Sequence, residues 1–187
     1  MGSEVRDITE EIPFEIPNNW CWCRLGQVCQ LNPRNIVDDS IDVGFIPMAL
    51  ISDGFQNKHS FNVRKWKEVK QGFTHFANND VGIAKITPCF ENRKSVIFSN
   101  LPNEVGAGTT ELHIIRPYSN VLPQYILTMC KTEYFITNGI KNFTGTAGQQ
   151  RISCQFVKDL LCPVPPLNEQ QRIIQKLSKI METIKFL

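Results

Sequence analysis

The chain has 187 residues, a formal net charge of +2, 42% apolar residues and 20% charged residues, a composition typical of one soluble domain with a sizeable core. It contains no apolar run near the roughly 18 residues that a membrane helix needs, and its acidic start does not resemble a signal peptide. We therefore expect no membrane partner and a cytoplasmic location, while a charge of +2 is too small to identify a nucleic-acid partner without the charge distribution.

The seven cysteines and three histidines do not suggest a metal site. No Cys-x-x-Cys pair occurs, and no histidine pairs with a cysteine at the spacing of zinc ligands. We therefore expect no metal ion, and reduced, mostly buried thiols.

The chain divides into an arm, a domain and a terminal helix. Residues 1–16 are acidic and are predicted to form an N-terminal arm. Residues 17–166 contain the predicted globular domain. Residues 167–187 are predicted to form a spacer or dimerisation helix, which we expect to be truncated.

Short strands are predicted in the first part of the domain. Aromatic residues among 20–28 favour a strand over a helix. The apolar run 43–51 contains Pro47, which predicts an edge strand or an irregular one. Further strands are predicted at 81–86, 96–98 and 110–116.

Helices are predicted in the last part of the chain. From Leu122 to Ile140 apolar residues recur every three or four positions, which predicts one amphipathic helix. The terminal helix is expected to begin with Asn168 as its N-cap, directly after Pro166. Strands followed by helices indicate an α+β domain with a mixed or antiparallel sheet.

The terminal helix carries an apolar stripe with the spacing of a coiled coil. Its members are Ile173, Leu177, Ile180, Ile184 and Leu187. Two interpretations remain open: the stripe binds a helix of a partner, including a second copy of the chain, or it packs on the chain's own domain.

The sequence lacks the motifs of the enzymes that we considered. The Gly145–Arg151 loop has no lysine followed by Ser or Thr, so it is not a phosphate-binding loop. Pro165-Pro166 is followed by leucine rather than by the aromatic residue of an adenine methyltransferase motif. Glu111 and His113 alternate on a predicted strand, where a packing or surface role is favoured over acid–base catalysis. We therefore expect a protein without catalytic residues.

Three polar, cationic segments are candidates for contact with double-stranded DNA. Clustered cations suit its phosphates, and Arg, Asn and Gln suit its base edges. A solvated loop remains the alternative for the first segment, and a plain connector for the third. The candidate residues are Arg64, Lys65 and Lys67 in the first segment, Lys85, Thr87, Asn92 and Lys94 in the second, and Thr144, Thr146, Gln149, Gln150 and Arg151 in the third.

Four strings in the same order resemble the specificity subunit of type I restriction–modification systems. They are IPFEIPNNWCWCRLGQV, VGIAKITPCFENRKSVIF, GTTELHIIRP and ISCQFVKDLLCPVPPLNEQQRII, and together they extend over nearly the whole chain. The last string resembles the junction between a target-recognition domain and a long conserved helix.

The resemblance implies a DNA-recognition role without catalysis. In this family each recognition domain binds one half of a bipartite DNA sequence, and the helices set the spacing and dock methyltransferase subunits. S-adenosylmethionine, ATP and Mg²⁺ are then expected on the methyltransferase (M) and restriction (R) subunits rather than on this chain. One recognition domain instead of two implies either a fragment or a half-sized subunit that pairs with a second copy. The alternative function is an interaction scaffold that uses the helix and does not contact DNA.

Overall fold

The computed structural model describes residues 7–184, and this range contains ten β-strands, six α-helices and three short 3-10 turns. The strands are β1 (Cys21–Arg24), β2 (Cys29–Leu31), β3 (Asp42–Ile46), β4 (Asn62–Lys65), β5 (Thr74–Ala77), β6 (Val81–Ala84), β7 (Ser95–Ile97), β8 (Val105–Gly108), β9 (Leu112–Pro117) and β10 (Leu161–Val164). The helices are α1 (Leu25–Val28), α2 (Trp66–Val69), α3 (Pro123–Cys130), α4 (Glu133–Lys141), α5 (Cys154–Asp159) and α6 (Leu167–Ile184).

The strands form two four-stranded sheets and one two-stranded ribbon. One sheet has the order β2-β9-β6-β7 and is antiparallel throughout. The other has the order β4-β3-β8-β5 and is mixed, because β3 and β8 run parallel. Strands β1 and β10 pair antiparallel as the ribbon. The predicted α+β class, with mixed and antiparallel sheets, is confirmed.

The two large sheets are stacked, with α3, α4 and α5 on the outer face of the antiparallel sheet and the one-turn helix α2 on the outer face of the mixed sheet. In the antiparallel sheet, Ile115 packs in the cluster formed with α3, α4 and α5, while its neighbour Ile114 packs towards the mixed sheet. Between the sheets, the rings of Phe76 and Phe98 stack with centroids 3.8 Å apart. Successive side chains of a strand point to opposite faces, so each central strand supplies two cores.

Of the two alternatives predicted for the run 43–51, the edge strand is wrong and the irregular course is what the structure shows, because β3 ends at Ile46 and Met48–Leu50 form a 3-10 turn. Strand β3 lies inside its sheet, between β4 and β8. Pro47 follows the last residue of β3, so its missing N–H removes no hydrogen bond from the ladder. The predicted strand at 20–28 is also shorter than expected, because the side chain of Gln27 accepts a hydrogen bond from the Arg24 N–H at 2.8 Å and starts the one-turn helix α1.

The single helix predicted from Leu122 to Ile140 is in fact two helices, α3 and α4. Thr132 separates them with its side-chain hydroxyl, which donates to the Met129 carbonyl at 2.7 Å and accepts from the Phe135 N–H at 3.2 Å. The apolar spacing continues across the break, so periodicity alone did not reveal it.

Helix α6 begins at Leu167, one residue before the predicted N-cap Asn168. The Pro166 carbonyl accepts the N–H groups of Glu169 and Gln170 at 2.8 and 3.0 Å, so the proline itself begins the first turn. Gln170 is completely buried at the base of this helix. Within residues 7–184 the structure contains no helix that is both long and apolar enough to cross a membrane.

The Gln170 amide joins α6 to the domain. It donates to the carbonyls of Pro165 and Asn120 at 2.9 and 3.1 Å and accepts from the Leu122 N–H at 2.9 Å. Gln170→Ala should lower the free energy of unfolding by about 2 kcal/mol, because buried backbone groups lose their partner. Urea denaturation measures this, and Gln171→Ala, at the exposed neighbouring position, is the control that should change little. Equal effects of the two changes would contradict a joining role for Gln170.

Candidate nucleic-acid interface

The third predicted segment forms a loop that is closed by a single antiparallel bridge between Thr144 and Arg151, and we call this loop the hairpin (residues 144–151). The N–H and carbonyl groups of Thr144 and Arg151 bond each other at 2.9 and 3.0 Å. Gly145 and Gly148 have φ values of +109° and +78°, conformations that favour glycine and allow the tight turn. The hairpin therefore presents the side chains of Thr146 and Gln149 to solvent on a defined backbone.

Arg151 is bound within the chain rather than extended into solvent. Its guanidinium donates to both carboxylate oxygens of Glu111 at 2.9 Å and to the Gln149 carbonyl at 2.7 Å. The hydrogen bond from Arg151 lowers the pKa of Glu111, so the pair is ionised at neutral pH. Arg151 holds the hairpin in place, a role that its spacing in the sequence did not indicate.

The hairpin is attached to the start of the second predicted segment. Thr87 donates its N–H to the Gln150 carbonyl at 3.0 Å, and the Lys85 carbonyl accepts from Ile152 at 3.0 Å. The structure thus brings Lys85 and Thr87 together with the hairpin. The hydroxyl of Thr87 is buried, so its backbone rather than its side chain contributes to this surface.

The end of the second segment is arranged differently. The Lys94 ammonium is directed inward and donates to the Ile51 carbonyl at 2.7 Å. Asn92 is exposed, and its carbonyl accepts from the Gly54 N–H at 2.8 Å. Lys94 therefore fixes a loop and is not free for a ligand, whereas the Asn92 side chain is accessible.

The first segment forms β4 and α2 and lies apart from the hairpin. Strand β4 is at one edge of the mixed sheet, whereas β5, which meets the antiparallel sheet, is at the other. Lys65 on β4 pairs with Asp42 at 3.0 Å. Arg64 and Lys67 are exposed and form no ion pair within residues 7–184.

A cleft between the two sheets borders Lys85 and contains residues that the sequence predictions missed. This inter-sheet cleft has a volume of about 350 Å³. It is lined by Asn32, Pro33, Arg34, Gly72, Phe73, Thr74, His75, Lys85, Thr110, Leu112 and His113. Asn32 and Arg34 belong to one polar string, NPRN, before β3, and this string was the only signal in the sequence, because His75 and His113 come from distant parts of the chain.

Both histidines of the cleft are neutral structural groups. Burial lowers the pKa of His113 and of His75 from the usual range. A His113 ring nitrogen contacts the Ile152 carbonyl at 3.0 Å, which connects the cleft to the base of the hairpin. The net charge of the cleft therefore comes from Arg34 and Lys85.

The residues within 7–184 include no group of three or more His, Cys, Asp or Glu side chains placed to hold a metal ion. The surface formed by the hairpin, Lys85 and the inter-sheet cleft instead offers amides, hydroxyls and cations. Such groups bind phosphates and base edges.

Two substitutions in the hairpin should distinguish a side chain that contacts DNA from one that stabilises the fold. Gln149→Ala should weaken DNA binding about fivefold without changing the melting temperature, because its exposed side chain has no structural role. Arg151→Ala should lower both the affinity and the melting temperature, because it releases Glu111. Gln30→Ala, at an exposed position on β2, is the control. If Gln149→Ala lowers the melting temperature but leaves the affinity for DNA unchanged, the hairpin is only a connector.

Comparisons with known proteins agree on one family. A family model described as the type I restriction modification DNA specificity domain matches residues 17–187. The type I restriction enzyme EcoAI specificity subunit of Escherichia coli is 48% identical over 174 residues, which cover 92% of this chain and 30% of that protein. The EcoEI specificity subunit of Escherichia coli is 45% identical over 174 residues, with 92% and 29% covered.

A solved structure has the same fold. The HsdS subunit from Thermoanaerobacter tengcongensis matches with a TM-score of 0.76 at 21% identity, over 95% of this chain and 46% of that chain. The chain spans less than a third of the length of the two curated relatives.

Proposed function

Because the chain belongs to the family of type I restriction–modification DNA specificity domains, we propose that it recognises one half of a bipartite DNA target for such a system. The observation that supports this proposal is the continuous polar surface of the hairpin, Lys85 and the inter-sheet cleft. A rigid backbone with accessible amides and cations is suited to DNA contact, with phosphate contacts for position and base-edge contacts for sequence.

In this proposal other subunits carry out methyl transfer and DNA cleavage. The chain would act in the cytoplasm as the recognition element for methyltransferase and restriction subunits. S-adenosylmethionine, ATP and Mg²⁺ would bind to those subunits. The purified chain with S-adenosylmethionine and DNA should then transfer no methyl group, and transfer by the chain alone would contradict the division of roles.

Methylation mapping tests the recognition role. Genomic DNA from the host should contain one methylated bipartite motif that loses its methylation when the gene is deleted. A copy of the gene with the hairpin residues 145–150 replaced by those of a different recognition domain should not restore that motif. Unchanged methylation at every motif after deletion would overturn the proposal.

The proposal keeps the predicted boundaries 1–16, 17–166 and 167–187, with one change that concerns the apolar stripe of α6. Ile173 and Ile174 are partly buried against the domain core, so the first turns of the helix pack on the chain itself. Leu177 and Ile180 are 37% and 45% exposed. The part of the apolar stripe that binds a partner helix, which we call the seam, would therefore begin at Leu177. The side chain of Ile184 and the whole of Leu187 lie outside the described residues.

Charged substitutions in the seam should abolish self-association of the chain. An 18-residue helix is about 27 Å long, so it can present an apolar stripe to a second copy. Leu177→Glu with Ile180→Glu should convert a dimer into a folded monomer, as measured by light scattering. Lys176→Glu with Lys179→Glu is the matched control at exposed positions outside the stripe and should leave the dimer intact. An unmodified protein that stays monomeric at high concentration would contradict the seam.

A further inference from the structure

The segment 32–36, whose first three residues line one rim of the inter-sheet cleft, is held by hydrogen bonds at Asn32 and Asn35. Asn32 exchanges two hydrogen bonds with the backbone of Ile114, at 2.8 and 2.9 Å. The Asn35 amide donates to the Phe76 carbonyl at 2.8 Å. The segment is thus fixed to the antiparallel sheet and to the mixed sheet, and its conformation does not depend on a ligand.

Ile36 extends from this rigid segment into solvent. It is 97% exposed. Single exposed apolar side chains are common, yet the next most exposed large one among the described residues, Phe55, is 61% exposed and has the Arg93 guanidinium 5.4 Å from its ring centroid. Ile36 combines nearly full exposure with a position directly after the anchored residue Asn35, which favours a contact with another molecule.

Arg34, two residues earlier, has most of its hydrogen-bonding capacity free. It donates to the Phe73 carbonyl at 3.2 Å and forms no ion pair within residues 7–184. His75 accepts from the Asn35 N–H with one ring nitrogen, so the other carries the proton and donates to the Lys70 carbonyl at 2.9 Å. The contact between Arg34 and that second nitrogen, at 3.3 Å, therefore joins two donors and does not satisfy the guanidinium.

The acidic side chains that follow in the sequence are already engaged. Asp39 binds the Lys70 ammonium at 2.7 Å. Asp38 accepts from the N–H of Ser40 at 2.8 Å and from its hydroxyl. Neither carboxylate neutralises Arg34, so the rim of the cleft is positive.

We propose that the segment 32–36 is a DNA-contact element in which Arg34 binds a backbone phosphate and Ile36 contacts a thymine methyl group in the major groove. This inference rests on the proposed function and extends it to residues outside the predicted segments. The thymine methyl is the apolar group that base pairs present in the major groove, and isoleucine is an apolar partner for it. The Cα atoms of Arg34 and Ile36 are at most about 7 Å apart, which suits neighbouring nucleotides.

Removal of methyl groups from the DNA tests the role of Ile36. The probe is a duplex with the motif found by methylation mapping, in which each thymine is replaced in turn by deoxyuridine, bound to the protein assembled with its methyltransferase subunit. One replacement should weaken binding by the unmodified protein about fivefold. Ile36→Ala should weaken binding to the thymine duplex by a similar factor and should be insensitive to that replacement.

Ile12→Ala, at a partly exposed isoleucine in the arm, is the control and should remain sensitive to deoxyuridine. If Ile36→Ala binds as the unmodified protein does, or remains equally sensitive to deoxyuridine, the thymine contact is excluded. If Ile36→Ala fails to assemble with the methyltransferase subunit, Ile36 is a protein contact and the inference is overturned.

The salt dependence of binding tests the role of Arg34. Arg34→Gln should lower affinity by a similar factor for all sequences and reduce the slope of log K against log salt by about one. Lys158→Gln, an exposed cation on α5, should leave the slope unchanged. An unchanged slope for Arg34→Gln would exclude the phosphate contact. Absence of DNA binding by the unmodified complex would instead overturn the proposed function itself, so the two failures are distinguishable.

Discussion

Replacing Asp80 with alanine should lower the free energy of unfolding by about 3 kcal/mol, the lower end of the range for breaking a buried ion pair. The Asp80 side chain is 2% exposed and accepts two hydrogen bonds from the Arg116 guanidinium, at 2.7 and 2.8 Å. It also accepts from the Ala77 N–H at 2.7 Å. The Arg116 side chain is 33% exposed, so water can hydrate its guanidinium in the variant, and the loss of stability should lie at the lower end of the range.

Asp39→Ala is a matched control for Asp80→Ala. Asp39 pairs with Lys70 at 2.7 Å, but the two side chains are 55% and 38% exposed. Surface pairs of this kind contribute about 1 kcal/mol or less. Both variants should be compared by urea denaturation, and equal losses of stability would show that the burial of Asp80 is not decisive.

The Asp80 substitution should also weaken DNA binding. Arg116, which Asp80 orients, donates to the Asn35 side chain at 3.3 Å. Loss of Asp80 therefore loosens the rim segment 32–36 indirectly. Binding should fall even under conditions where the variant is fully folded.

DNA binding by the unmodified protein should weaken about 100-fold when salt rises from about 50 to about 200 mM, if four cations each neutralise one phosphate. The four are the cations of the candidate surfaces that form no ion pair within residues 7–184, apart from Lys94, whose ammonium is bound by the Ile51 carbonyl. They are Arg34, Arg64, Lys67 and Lys85.

Individual variants show which cations contribute. Lys85→Gln should reduce the salt slope by about one, because this residue lines the inter-sheet cleft. Lys65→Gln should reduce it less, because Asp42 already neutralises that ammonium in the free protein. A slope near zero for the unmodified protein would favour a scaffold that uses α6 without contacting DNA.

Features that depend on neighbouring residues were predictable from the sequence. Strands β6, β7 and β9 follow from alternating apolar residues and the turn at Asn78–Asp80. Helix α6 follows from Pro166 and the apolar stripe. These signals are local because the period of a strand or helix, and the backbone limits of proline, act within a few residues.

The availability of each predicted DNA contact was decided only by the tertiary structure. Lys94 is bound by the Ile51 carbonyl and Arg151 by Glu111, partners that are 43 and 40 residues away in the chain. Arg34 keeps most of its hydrogen-bond donors free and Ile36 is exposed, in a segment that the hydrogen bonds of Asn32 and Asn35 hold against two sheets. A cation in the sequence has the same charge whether or not it has a partner, so only the packing of distant strands determines which cations remain available to DNA.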